Sequence, residues 1–350
     1  MYIGHLNYFE VENCGLYSVG STDPKALQMS ETFKEVAQWV QGRNLPQTLP
    51  WEPGTTKKGI SLCYCKDVYS DVGTGDFVFV LWKSETGSNA TLLGAEEGAN
   101  TGSNKVHEYT SDHKGKKVIW GRPCYYWVIP SKKLIVSIKF DNSLCDSKMF
   151  QMYIKSCVEN RIKHADRQVT FTEHDYVRIS HNSGEYKNLL FRFNIHLKSM
   201  ATSGLQLNKL VPKITSIVKR ETIVVKSENE KAIWLKHFEK IPFMKAESKA
   251  KRRKIEVTAE AKPTVDEVSK LIEEFAVENR SSSDWDNVGF VTDSGTTWAD
   301  TYRLKGEIAP TPPASKVYVA SELWAYLEPN RERLLYIAKD QELKFSEKAS

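Results

Sequence analysis

The sequence predicts an α+β protein in which helices flank antiparallel sheets in more than one lobe. Two observations predict this class. Apolar residues recur at helical spacing in several segments, and other segments are short β-branched or aromatic runs separated by turn residues. The chain has 350 residues, of which 40% are hydrophobic and 27% charged. This composition excludes collagen-like and wholly disordered proteins, and the length allows two or three separate cores.

We expect residues 1–165 to form an N-terminal α+β domain. Asp23-Pro24 favours the start of a helix, whose apolar stripe continues to Gly42. A second amphipathic helix is predicted within 148–162. Residues 84–117 are rich in Gly, Ser, Asn and Thr, so they form either a long mobile loop or a poorly ordered hairpin. Strands are predicted at 60–64, 77–82, 118–120, 125–129 and 134–140.

Residues 166–244 are interpreted as a β-hairpin followed by a basic helical segment. A helical run follows Gly204. Ser227 and Glu230 have the spacing of a capping box, which predicts a further helix from that point. Strands are predicted at 169–179, 189–197 and 222–226.

Residues 245–263 read as a basic linker, since their first ten positions include no large apolar residue. The remaining segment, 264–350, is predicted to be an acidic α+β region. A capping box begins at Thr264, a hairpin turns at 293–295, and the final helices are broken near Pro329.

The charge of the chain is unevenly distributed. The formal net charge is only +5, but residues 209–254 contain fourteen Lys or Arg against five Asp or Glu. Residues 264–350 contain sixteen acids against ten bases. Dense positive charge is typical of a surface that binds nucleic-acid phosphates. The candidate contacts to double-stranded DNA are Lys209, Lys213, Lys219, Arg220, Lys226, Lys249, Lys251, Arg252, Arg253 and Lys254.

Other interpretations of this charge remain open. The lysines could simply solvate helix faces, and residues 251–254 could be a nuclear-targeting signal. The segment has no helix-turn-helix, Cys/His finger or aromatic RNA-recognition signature. The pattern therefore favours contact with the phosphate backbone over readout of base sequence.

Two further function classes are considered. Asp175 with Glu185 and Lys187 resembles the carboxylate and lysine arrangement of metal-dependent nucleases, although Glu-x-Lys is common by chance. A protein-interaction module that meets an acidic partner through its basic segment is the other class. Cys63 and Cys65 favour core positions over a zinc site. We expect no cofactor and no metal, and a binding protein rather than an enzyme.

Most of the tryptophans lie on periodic apolar faces, which predicts core positions. Two of them stand beside basic or polar residues, and either a core or an exposed position remains open for Trp120 and Trp298. The core prediction covers Trp39, Trp82, Trp127 and Trp234.

The sequence also indicates a cytoplasmic protein. No stretch approaches the roughly 20 apolar residues of a membrane span, and the first residues do not form a signal peptide. Six irregularly spaced cysteines are typical of reduced thiols.

Several elements follow one another in a suggestive order along the chain: 125–129, 134–140, 148–162, 191–198, 219–226 and 293–306. This order resembles the RexA family of phage lambda exclusion proteins, which act in abortive infection. The resemblance covers about residues 75–345. It implies a DNA-binding homodimer, similar in structure to the RdgC nucleoid proteins, that works with a membrane channel partner in antiviral defence. Lys219, Arg220 and Lys226 would then contact the DNA backbone.

Overall fold

The structure, a computed structural model, divides the chain into two compact units. Unit 1 comprises Met1–Lys198 and Leu304–Gln341, and unit 2 comprises Ser199–Arg303 and Glu342–Ser350. The named strand pairs are all antiparallel, so the predicted α+β class with antiparallel sheets is confirmed. The described residues are 2–51, 61–85, 93–103, 106–108, 118–162, 164, 167–171, 177–198, 204–224, 252–275, 285–302 and 304–347.

Unit 1 is built on a large antiparallel sheet with helices packed against it. The strands are β1 (Gly4–Tyr17), β2 (Cys63–Ser70), β3 (Phe77–Ser84), β4 (Leu93–Glu96), β5 (Val106–Glu108), β6 (Val118–Ile129), β7 (Leu134–Lys139), β8 (Arg167–Phe171), β9 (Val177–Ser183), β10 (Tyr186–Leu197) and β15 (Lys305–Ile308). The main path of the sheet has the strand order β2-β3-β6-β7-β1-β10-β9-β8, with β15 beside β1, and with β4 between β5 and β6. The helices are α1 (Met29–Val40), α2 (Ser147–Asn160) and α5 (Ala320–Glu347), whose residues after Gln341 are assigned to unit 2.

Both faces of this sheet are buried at its centre, which explains the nearly uninterrupted apolar sequence of β3 and β6. Phe79 and Leu81 of β3 belong to a core cluster that includes Phe33 of α1 and Phe150 of α2. Val80 points to the opposite face, since side chains alternate along a strand, and it is also fully buried. The two helices therefore cover one face only.

Helix α5 packs on the second face of the unit 1 sheet. The Asp67 carboxylate accepts a hydrogen bond from the backbone N–H of Ala320, the first residue of α5, at 2.6 Å. Further along, the Tyr8 hydroxyl donates to the carbonyl of Leu334 at 3.1 Å. These contacts lie on either side of Pro329, and the helix continues through the proline where the sequence predicts a break. Among the described residues, no helix combines the length and apolarity needed to cross a membrane.

The central strand β1 is not predicted by the sequence analysis. It pairs with β7, β10 and β15. Phe9 and Val11 face the core cluster, but the next core positions are Cys14 and Leu16. A shift of register between Val11 and Asn13 accounts for this spacing, because a bulge adds one residue and reverses the alternation. The interrupted period of two conceals the strand in the sequence.

Helix α1 begins five residues after the predicted start at Pro24. The N–H of Lys25 donates to the carbonyl of Leu16, and the N–H of Leu16 donates to the carbonyl of Ala26. These bonds hold the segment alongside β1, so it cannot form the first helical turn. The predicted end is confirmed, because Gly42 follows the helix with a φ of +74°.

Unit 2 contains a four-stranded antiparallel sheet and two helices. Its elements are α3 (Gly204–Leu210), β11 (Ser216–Val224), β12 (Arg252–Glu260), α4 (Val265–Phe275), β13 (Asn287–Thr292) and β14 (Gly295–Trp298). The strand order is β12-β11-β13-β14. The predicted capping box is confirmed: Thr264 N–H donates to the Glu267 carboxylate at 2.7 Å, and Glu267 N–H donates to the Thr264 hydroxyl. The predicted hairpin turn at 293–295 is also present.

The domain boundaries differ from those expected at several points. The predicted linker at 245–263 contains β12, whose residues from Arg252 to Glu260 pair with β11 throughout. Ile255, Val257 and Thr258 are β-branched and suit this pairing. The hairpin of the predicted 166–244 segment lies in unit 1, because β10 pairs with β1. The predicted helix after Ser227 lies outside the described residues.

Candidate nucleic-acid interface

Strands β11 and β12 place the basic side chains of unit 2 on two opposite faces. Residues directly paired across an antiparallel ladder share a face, and the face alternates along each strand. Arg220 pairs with Glu256, and Lys254 lies two residues away on the same face. Lys219 and Arg253 occupy the other face. The register therefore divides the basic residues that the sequence groups together.

One face carries two cations beside two indole rings. We call Arg220, Lys254, Trp285 and Trp298 the basic–aromatic face. The guanidinium carbon of Arg220 lies 3.8 Å from the ring centroid of Trp298 and 4.7 Å from that of Trp285. The Lys254 ammonium lies 5.3 Å from the centroid of Trp285. Cations within about 6 Å of an indole centroid are attracted by the negative face of the ring.

Gly289 gives the Trp298 ring room to lie against the sheet. The two residues are register partners on β13 and β14. A β-carbon built at Gly289 comes within 3.1 Å of the Trp298 ring and 2.7 Å of the Thr296 methyl group. A larger residue at position 289 would therefore push the Trp298 indole away from the sheet and disturb its packing against Arg220.

Trp285 is tied to β12 by its indole nitrogen, which donates a hydrogen bond to the carbonyl of Ile255 at 3.1 Å. The ring is half-buried. This bond fixes the ring beside Arg220 and Lys254 and gives both cations a defined position.

The charge on this face is partly compensated. The Nε of Arg220 donates to the Glu256 carboxylate at 2.6 Å. The side chains of Arg220 and Glu256 are 33% and 44% exposed, so both remain accessible to solvent. Lys254 is exposed, and no carboxylate lies within ion-pairing distance of it in the part of unit 2 that the structure describes. The guanidinium N–H groups other than Nε remain as donors toward a ligand.

The other predicted contact residues are scattered. Lys209 on α3 and Lys213 in the turn that follows are exposed. Lys219 is exposed and forms an ion pair with Glu221 at 3.4 Å, and Arg253 is half-buried. The backbone of Arg252 lies in β12, and its side chain is outside the described residues. Lys226, Lys249 and Lys251 also lie outside the described residues.

The sequence predicts the aromatic residues of this face only in part. The sequence allows either a core or an exposed position for Trp298, and the structure places it half-buried beside a cation. Trp285 was not identified. The only signal is its isolation between Asp284 and Asp286, outside any apolar period.

The residues of the nuclease interpretation are not assembled into a site that can be described. Asp175 lies outside the described residues. Glu185 is exposed in the turn between β9 and β10, and Lys187 is exposed on β10. In the described parts of the chain, no group of three His, Cys, Asp or Glu side chains is placed to hold a metal ion.

Cys63 and Cys65 lie on the same side of β2 within the core cluster, as the sequence predicts. Burial raises the pKa of both thiols well above the ordinary value, so they stay protonated. All six cysteines of the chain are buried free thiols.

No protein-family model, curated protein or solved structure matches this chain. The basic–aromatic face offers two partly exposed cations held in place by indole rings, and such groups bind phosphate oxygens.

Proposed function

We propose that the protein binds double-stranded DNA through its phosphate backbone, with the basic–aromatic face of unit 2 as the contact surface. The observation that carries this proposal is the position of Arg220, which packs against two indoles and remains one-third exposed. A guanidinium stacked on aromatic rings keeps its N–H edge free for phosphate. Arg220 and Lys254 lie over the faces of the two indole rings. We therefore expect the indoles to support the cations rather than to stack on bases.

The expected binding is strongly dependent on salt. Each phosphate neutralised by a Lys or Arg releases condensed counterions, so the affinity falls with a log–log slope of about −0.9 per contact. Arg220 and Lys254 together should account for about two units of that slope. Backbone contacts of this kind carry no information on base sequence.

The test measures fluorescence anisotropy of a labelled duplex titrated with the full chain at about 50 mM and 200 mM salt. The variant Arg220→Gln/Lys254→Gln is expected to bind more weakly and to show a slope smaller by about two units. Lys132→Gln/Arg333→Gln is the matched control, because it removes one lysine and one arginine charge from exposed positions of unit 1.

Two results count against the proposal. Wild-type protein that does not bind the duplex, or binds it with no dependence on salt, excludes backbone binding. Equal losses in the two double variants show that net charge alone, rather than this face, sets the affinity.

The biological setting that the RexA-like pattern implies is part of the same proposal. The protein would act in the cytoplasm as a homodimer in phage exclusion, together with a membrane-protein partner. Support would come from sedimentation of a dimer and from reduced phage plating that depends on Arg220 and Lys254. Undiminished plating on cells that express the wild-type chain would exclude this role.

A further inference from the structure

Unit 1 contains a cavity of about 430 Å³ that the proposed DNA contact does not use. It lies where the C-terminal ends of α1 and α2 meet the start of β8 and the short turn Leu45–Thr48. Cavities that bind small organic ligands usually measure about 300–1,000 Å³. The volume therefore suits a molecule larger than a simple inorganic ion.

Three arginines line this cavity: Arg43, Arg161 and Arg167. The described lining residues include no Asp or Glu. The Nε of Arg43 donates to the carbonyl of Trp39, and Arg161 donates to the carbonyls of Leu49 and Trp51. These hydrogen bonds orient both guanidinium groups at the cavity wall.

Arg167 is held in a similar way, with its Nε donating to the carbonyl of Glu159. The Glu159 side chain is the carboxylate that interacts with this arginine. Burial raises the pKa of Glu159, while Lys155 and Arg167 oppose the increase. The Glu159 carboxyl group is not part of the cavity lining, and it interacts with both Lys155 and Arg167.

Two tryptophans form the flat apolar part of the wall. Trp39, expected in the core, is half-buried, and the Arg43 guanidinium lies 5.3 Å from its ring centroid. The indole nitrogen of Trp51 is buried and has no acceptor among the described residues. A buried donor without a partner is destabilising, so a ligand atom that accepts its hydrogen bond would be stabilised there.

We infer that this cavity binds a nucleoside phosphate. The phosphate would be held by Arg43 and Arg167, and the base would lie against the two indoles. Guanidinium groups bind phosphate oxygens in pairs, and aromatic side chains stack on every base. An inorganic phosphate would satisfy the arginines alone, whereas the volume and the indoles require a flat organic group. The inference is independent of the DNA proposal, because its residues all belong to unit 1.

The experiment is isothermal titration calorimetry of the full chain with AMP, GMP, CMP and UMP, and with adenosine and inorganic phosphate alone. At least one nucleotide is expected to bind more than tenfold tighter than adenosine or phosphate. Arg43→Gln should weaken binding of that nucleotide about tenfold or more, because it removes one charge-assisted hydrogen-bonding contact to the phosphate. Arg333→Gln, on the exposed surface of α5, is the matched control and should bind as wild type.

Arg167→Gln provides a second variant if Arg43→Gln does not fold, with circular dichroism as the check of folding. Absence of binding by all four nucleotides overturns the inference, as does equal binding by inorganic phosphate. Wild-type affinity in a folded cavity variant also overturns it. The double variant Arg220→Gln/Lys254→Gln should keep nucleotide binding, and Arg43→Gln should keep duplex binding. Failure of one proposal is thereby distinguishable from failure of the other.

Discussion

Unit 1 and unit 2 both combine an antiparallel sheet with helices, but they place their charged groups differently. In unit 1, Asp76 is fully buried and forms an ion pair with Arg331, while burial lowers the pKa of Lys66 to about 8. In unit 2, Arg220 and Lys254 stand at the surface beside indoles. Charges of the first kind fasten elements of the fold together, and charges of the second kind remain available to a ligand.

The Asp76 ion pair shows how the first arrangement works. Its carboxylate accepts hydrogen bonds from Nε and Nη2 of Arg331 at 2.8 and 3.2 Å, and from the indole nitrogen of Trp127 at 3.0 Å. The same pairing raises the pKa of Arg331. These bonds connect α5 to β6 and to the residue that precedes β3. The Asp76 carboxylate is 0% exposed and accepts all of these hydrogen bonds, so it cannot contact a ligand from solvent.

The largest predicted effect comes from breaking this pair. Asp76→Asn should lower the free energy of unfolding of unit 1 by about 3–5 kcal/mol, because the mostly buried guanidinium of Arg331 loses its buried counter-charge and keeps only the exposed Glu332. Urea denaturation followed by tryptophan fluorescence measures the change. Lys155→Gln breaks a more exposed pair with Glu159 and should cost less than about 1 kcal/mol. Equal costs for the two variants would show that burial does not distinguish these charges.

The second prediction concerns His181 on β9, whose ring is 1% exposed. Burial lowers its pKa to about 4, and the nearby His164 and Arg167 add to the decrease. Since the unfolded chain binds this proton near pH 6.5, the neutral ring stabilises the fold above that pH. The contribution, up to about 3 kcal/mol, should be lost as the pH falls from about 6.5 to 4.

Measurement of unfolding free energy against pH tests this prediction. His181→Leu should flatten the curve between pH 6.5 and 4, because leucine binds no proton. The neighbouring buried Ser180 of β9 offers the control variant Ser180→Ala, which removes no titratable group, so we expect the wild-type slope. If the slope of His181→Leu also matches that of the wild type, protonation of this ring does not control acid stability.

The smallest predicted effect lies in unit 2. Thr264→Ala removes the hydroxyl that caps α4 and should destabilise that helix by about 1 kcal/mol. Hydrogen exchange of peptides from 265–275 should accelerate about fivefold, while exchange in β3 and β6 of unit 1 stays unchanged. Thr258→Ala, at an exposed position of β12, serves as the control. Faster exchange throughout both units would contradict independent stability of the two units.

Much of the local structure could be predicted, because it depends on neighbouring residues. The capping box at Thr264, the turn at 293–295 and the end of α1 before Gly42 each follow from a few adjacent side chains. The helix at 148–162 follows from its apolar period and is observed as α2. The start of α1 was predicted wrongly, since pairing with β1 overrides the local preference around Pro24.

The candidate site was harder to predict from the sequence than the local structure. Local charge density identified Arg220 and Lys254, but it gave equal weight to Lys219 and Arg253. Successive side chains along a strand point to opposite faces of the sheet. The register of β11 with β12 therefore decides which basic residues share a surface. Nothing in the local sequence of Trp285 indicates that it meets Arg220, which lies far away along the chain.

The amino-acid sequence by itself determined the class of the fold, its hairpins and caps, and the concentration of positive charge between residues 209 and 254. Tertiary structure alone decided that β1 is central, that β12 joins a sheet, and that three arginines surround one cavity. The physical reason is the distance along the chain between the residues that interact. Caps and periods arise from residues within a few positions of one another, whereas strand order and cavity walls depend on pairings between distant segments.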